Sequence, residues 1–137
     1  MKKLLLAVIV SLSTVSTAAL AEIKVGIILG FTGPIESLTP AMRDGAKLAF
    51  NEAADSGNLL GGETFNIIEG DSTCVDSAAA TAAAEQMVAD GVAAIMGADC
   101  SGVTGAINAN VAVPNGVLMV SPSATSPGLS KVADNGT

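Results

Sequence analysis

Four short apolar runs divide the chain: Ile23 to Leu29, Thr64 to Glu69, Val92 to Met96 and Val117 to Val120. The first, Ile-Lys-Val-Gly-Ile-Ile-Leu, is β-branched and almost wholly apolar, which predicts a central parallel strand buried on both faces. Between the first two runs, Met42, Ala46, Ala49, Phe50 and Ala53 recur at three- and four-residue intervals and give a helix one apolar face. Thr39-Pro40 is expected to open that helix, Thr39 as N-cap and Pro40 at the first helical position, with Gly57 closing it. Arg43, Asp44, Lys47 and Glu52 fall largely off the apolar face and read as solvated. An alanine-rich stretch follows the second run, with Asp76 as its expected cap and Gly91 as its end. Its thin stripe of Ala79, Ala83, Met87 and Val88 predicts close packing on a sheet. A further helix starts near Ser101, and Asn115-Gly116 turns the chain into the fourth strand. Strands alternating with helices predict a doubly wound parallel α/β sheet.

The first 21 residues stand outside this pattern. Met1-Lys2-Lys3 is a positive start, Leu4 to Leu12 an apolar segment, and Ala19-Leu20-Ala21 a small-residue cleavage pattern. Together they predict a secretory signal peptide over residues 1–21 and a mature domain over 22–137. The nine-residue apolar segment is too short to span a bilayer, which takes about 20 residues. No cysteine lies near the cut to suggest a lipid anchor, so the mature protein is expected to be soluble. Cleavage removes two of the six basic residues and none of the 13 acids, leaving a net charge of −9. That charge argues against nucleic acid or an anionic membrane surface as a partner, since no basic patch exists to displace counterions. The positive mean hydropathy owes much to the signal and to alanine.

Export also bears on the two cysteines, Cys74 and Cys100. In an oxidising compartment a disulfide is the default for such a pair, and both residues follow strands and so share one sheet edge. A bridge would contribute about 3–4 kcal/mol in the chain-entropy model. Two free thiols remain the alternative; a metal site would lack histidine, of which the chain has none.

Two loops carry the candidate chemistry: Ala98-Asp99-Cys100-Ser101-Gly102-Val103-Thr104 and Ser121-Pro122-Ser123-Ala124-Thr125-Ser126-Pro127. Each follows a predicted strand, and open parallel sheets hold small ligands beyond the carboxyl ends of their strands. Hydroxyls and unpaired N–H groups there suit an anionic group such as a carboxylate. For Ser101 the plainer reading is an N-cap bonding Val103 or Thr104, while the helix end it caps would also attract a carboxylate. For Ser123 and Thr125 the plainer reading is a turn. Asp71 and Asp99 are the carboxylates near this edge, with solvation or loop capping as their expected role. The glycines Gly26, Gly30 and Gly33 do not match the dinucleotide spacing, and Pro34 follows where a helix should donate N–H groups. Catalysis has little support: there is no histidine and no Gly-x-Ser-x-Gly elbow, and the acids are scattered. No cofactor or metal is expected.

Residues 22–137 resemble the N-terminal part of the periplasmic leucine/isoleucine/valine-binding proteins, the substrate-binding components of ABC transporters. The resemblance rests on Ile23-Lys24-Val25-Gly26, Thr32-Gly33-Pro34-Ile35, Asp44-Gly45-Ala46, Gly97 to Ser101, and Ser121-Pro122-Ser123-Ala124-Thr125. It implies a bridge between Cys74 and Cys100. It implies that Ser101, Ser123 and Thr125 hold the carboxylate and ammonium of an amino acid, and that Leu38 touches its side chain. In the family Leu38 is often an aromatic, and Gly102 and Val103 stand where polar residues are common, so the pocket's shape and selectivity are expected to differ. The family is two-lobed, which implies that this chain is an incomplete N-terminal lobe. The implied protein is a periplasmic, monomeric, non-catalytic importer component whose partners are an amino acid, most simply a branched-chain one, and ABC permease subunits in the inner membrane. The alternative is an extracytoplasmic sensor domain for amides or other small solutes.

Overall fold

The computed structural model describes residues 22–59 and 62–133. The expected signal peptide lies outside the described residues, as do Leu60, Gly61 and residues 134–137. One sheet holds four strands: β1 (Glu22–Leu29), β2 (Thr64–Asp71), β3 (Ala94–Gly97) and β4 (Leu118–Val120). All pairings are parallel, in the order β2-β1-β3-β4. Helix α1 (Thr39–Asp55) connects β1 to β2, and α2 (Ser77–Ala89) connects β2 to β3. Helix α3 (Ser101–Ile107), a π-helical turn (Asn108–Ala112) and a short α4 (Val113–Asn115) connect β3 to β4. A 3-10 turn (Pro127–Lys131) follows. This is the parallel α/β sheet that the alternating pattern predicts.

The strand order reverses between β1 and β3, so the helices divide between two faces. Strand β1 is buried from Val25 to Leu29, as its composition requires. Its alternate residues serve opposite faces. On the α2 face, a Cβ at Gly26 would lie 2.7 Å from the Met87 sulfur, and one at Gly70 would lie 2.8 Å from the Met87 methyl. Two glycines on adjacent strands therefore make the seat that Met87 fills. Ala80 and Ala84, both fully buried, let the helix backbone come that close. The helix is rotated relative to the expected stripe: Ala79 is exposed, while Ala80, Ala84 and Met87 are buried and Ala83 and Val88 partly so. In a run of alanines the apolar period has no contrast, and the one large residue, Met87, sets the facing.

Other local signals resolve similarly. Asp76 caps α2 as expected, accepting from Ala78 N–H at 2.9 Å and Ala79 N–H at 3.0 Å. Thr39 is not the N-cap of α1. Leu38 holds that position, and the buried Thr39 donates its hydroxyl to the Glu36 carbonyl at 3.2 Å. The π-helical turn, absent from the sequence reading, comes just before Pro114, whose ring clashes with the carbonyl four residues back and which offers no N–H to continue the ladder. Lys47 is not simply solvated: it forms an ion pair with Glu69 of β2. The disulfide between Cys74 and Cys100 is formed, with Cα atoms 5.2 Å apart.

Candidate functional site

The carboxyl ends of the four strands deliver four loops to one rim. The switch point between β1 and β3 lies at its centre, where crevices form in sheets of this kind. The loop after β4 folds back over the end of β3. Ser121 Oγ donates to the Ala98 carbonyl and accepts from the Ala124 N–H at 2.9 Å. Ser123 Oγ donates to the Asp99 carbonyl at 2.9 Å. Ser101 Oγ accepts from the N–H groups of both Thr125 and Ser126, each at 3.1 Å. The structure thus brings Ser101, Ser123 and Thr125 together.

This geometry corrects the N-cap reading of Ser101. Cys100 is the cap residue, and the Thr104 N–H goes to its carbonyl at 2.9 Å. The Ser101 hydroxyl is thereby released from the helix to organise the neighbouring loop. A hydroxyl has two lone pairs and one proton. With two N–H groups accepted, Ser101 keeps its proton to donate outward. The Ser123 hydroxyl proton is spent on the Asp99 carbonyl and its N–H faces Ser121 Oγ at 3.4 Å, so this residue offers a ligand acceptors, its hydroxyl lone pairs and its carbonyl, rather than donors. Thr125 is exposed at the rim. Leu38 precedes α1 on the loop from β1, 56% exposed, and no hydrogen bond joins it to the three hydroxyl residues among the described residues.

Both rim carboxylates brace loops, and Asp99 is far more than a solvated acid. It is 3% exposed. One oxygen accepts from the Gly30 N–H at 2.8 Å, and the other from the Ser72 hydroxyl at 3.2 Å and the Cys100 N–H at 3.0 Å. Its only sequence signal is an acid at the end of an apolar strand, next to a cysteine. Asp71 accepts from the Thr32 hydroxyl at 2.6 Å and from the Thr73 N–H at 2.8 Å. Desolvation pushes its carboxyl up, but bonds from the Thr32 hydroxyl and from the N–H groups of Thr73, Thr32 and Phe31 outweigh that, so Asp71 titrates below its ordinary value. Among the described residues, no group of three or more acids, cysteines or histidines is placed to hold a metal ion. A separate hollow under the β4 loop is lined by Thr104, Asn108, Met119 and Leu129, and none of the four predicted ligand residues borders it.

The sequence matches the family model for periplasmic binding proteins over residues 22–136. The chain belongs to the periplasmic binding protein family. It is 33% identical, over 94% of its length, to the Leu/Ile/Val-binding protein BraC3 of Rhizobium johnstonii, and 31% identical over the same share to the leucine-specific-binding protein of Salmonella typhimurium. Its fold superimposes on the crystal structure of LivJ, the branched-chain amino acid transporter substrate binding protein of Streptococcus pneumoniae in complex with isoleucine. The TM-score is 0.73 at 32% identity, covering 81% of this chain and 31% of LivJ. The chain spans about a third of the length of these relatives, 34% for both BraC3 and the Salmonella protein.

Proposed function

We infer that this chain is the amino-acid-recognising part of an exported substrate-binding protein that serves an ABC importer, working in the periplasm by binding without chemistry. The observation that carries the reading is the junction of the two hydroxyl loops at Ser101. A serine that accepts two main-chain N–H groups and still holds a proton is a prearranged donor for one carboxylate oxygen. The Thr125 hydroxyl supplies a second donor for the carboxylate, and the main-chain carbonyls of Ser123 and Thr125 supply acceptors for the ammonium, their N–H groups being engaged by Ser121 and Ser101. Leu38, exposed and apolar on the β1 loop, meets an aliphatic side chain, consistent with a branched-chain ligand. Relatives bearing Leu/Ile/Val-binding names, and the isoleucine held by LivJ, support that choice. In the whole protein a second lobe closes over the ligand, and the closed form is what the permease subunits recognise. Binding by this chain alone is accordingly weak.

The test is a titration of the ¹⁵N-labelled chain with leucine, isoleucine and valine, read by amide chemical shifts. Shifts centred on Ser101, Ser123 and Thr125 are expected with the amino acids and not with leucinamide, which lacks the carboxylate. Equal responses to leucine and leucinamide, or shifts centred elsewhere, contradict the reading.

A further inference from the structure

Resting on that reading, we propose that Asp99 is a positioning residue for ligand recognition, a single buried residue whose carboxylate ties the β1, β2 and β3 loops and whose carbonyl takes the β4 loop, holding the rim in register before any ligand arrives. Its two oxygens take a main-chain N–H from the β1 loop at Gly30, the hydroxyl of Ser72 on the β2 loop, and the N–H of Cys100 on its own loop. Its carbonyl takes the Ser123 hydroxyl from the β4 loop. One residue therefore touches the segment leaving each of the four strands. Ser101, two positions on, carries the bonds to Thr125 and Ser126. The disulfide repeats only one of these links, β2 loop to β3 loop. Nothing else among the described side-chain hydrogen bonds ties the β1 loop to the β3 loop.

The arrangement demands an acid. Gly30 and Cys100 present two main-chain donors to opposite oxygens, in a place closed to water: Asp99 is 3% and Ser72 0% exposed. An asparagine has the same shape and one oxygen. Whichever way its amide turns, an NH₂ group faces a main-chain N–H, and one buried donor loses its acceptor. The Ser72 hydroxyl can rotate to accommodate the change; the two amides cannot. Asp99→Asn therefore releases either the β1 loop or the start of α3 without opening a cavity. Ordering these loops then falls to the ligand, which weakens binding.

Three variants of the full chain test this by the same leucine titration, with amide hydrogen exchange measured on the ligand-free protein. Asp99→Asn is expected to raise the dissociation constant at least tenfold. Ser72→Ala, which removes one donor of the three, is expected to raise it about threefold. Ile107→Val, a core change remote from the rim, is expected to lower the melting temperature and leave affinity within twofold. Exchange at Gly30 or at Cys100, whichever loses its acceptor, is expected to quicken at least tenfold in Asp99→Asn while Ile27 and Ile95 keep their protection. Unchanged affinity in Asp99→Asn, or an equal loss in Ile107→Val, overturns the proposal. If Asp99→Asn does not fold, Ser72→Ala decides: weakened binding supports the strut and unchanged binding rejects it. If the unaltered chain responds to no amino acid, the functional reading fails by itself. The exchange rates at Gly30 and Cys100 then still judge the strut, faster exchange at either upholding it and unchanged exchange at both rejecting it.

Discussion

Both faces of the sheet present apolar residues, and they end in different states. On one face α2, α3 and the π-helical turn cover Gly26, Ile28 and Ile95, with Met87, Val103, Ile107 and Val111 closing a dry core. On the other, α1 lies over β1 and β2, where Phe50 meets Phe65 at 4.9 Å between ring centres and Lys47 pairs with Glu69. It leaves β4 largely uncovered, with Leu118 and Val120 52% and 59% exposed. Phe50, Ala94, Met96 and Val120 line an open apolar groove there. Hydropathy alone does not decide burial; the number of crossover helices returning to a face does. The candidate site is anchored on the covered side, where α3 and its preceding loop are held rigid, which is where prearranged donors are of most use.

The largest expected effect lies where that covered face leaves β3. Gly97 has φ +140°, and a Cβ there would stand 2.1 Å from the Ile28 carbonyl oxygen of the neighbouring strand. Backbone cannot yield as a side chain can, so Gly97→Ala is expected to cost more than about 4 kcal/mol and to abolish cooperative urea unfolding. A normal transition would show that β1 and β3 can separate. Next comes the disulfide. Cys74→Ser with Cys100→Ser is expected to lower stability by about 3.5 kcal/mol in the chain-entropy model, measured as a shifted denaturation midpoint.

The direct comparison of faces is Met87→Ala against Val120→Ala. The first empties the seat formed by Gly26 and Gly70 and is expected to cost about 3 kcal/mol, since the backbone cannot collapse into the void. The second trims a side chain that is already mostly in water and is expected to change stability by no more than about 0.5 kcal/mol. Similar costs for both would mean that the open groove is filled in solution.

The strands, their order of appearance and the parallel sheet were legible because β-branched apolar runs and the breaks between them are local signals. So was the capping of α2 by Asp76. The meeting of Ser101 with Thr125 followed from topology, since both loops leave parallel strands at one edge. What could not be read was long-range. Met87 finds its seat through glycines 61 and 17 positions away in the chain. Asp99 takes its partners from Gly30 and Ser72, and nothing near it in sequence marks it as buried. The hydroxyls of Ser101 and Ser123 were foreseen at the right rim, but which atoms they spend on neighbouring loops required coordinates.

The smallest expected effect concerns Asp71, the rim carboxylate on the α1 side, and it separates the two faces once more. Asp99 is sealed, whereas Asp71 meets water and holds Thr32 and Thr73 from the edge. Its carboxyl is depressed in the folded protein by those bonds against an opposing desolvation. A depressed acid contributes stability that is present above the unfolded value, near 3.9, and lost as pH falls through the lower folded value. Unfolding midpoints measured from pH 5 down to pH 2 are expected to fall less steeply in Asp71→Asn than in the unaltered chain. Thr32→Val removes the shortest of the bonds and is expected to move the Asp71 titration, followed by its side-chain ¹³C shift, upward toward the ordinary carboxylate value. An unmoved titration would mean that the main-chain N–H groups alone hold the charge, and that the hydroxyl merely follows.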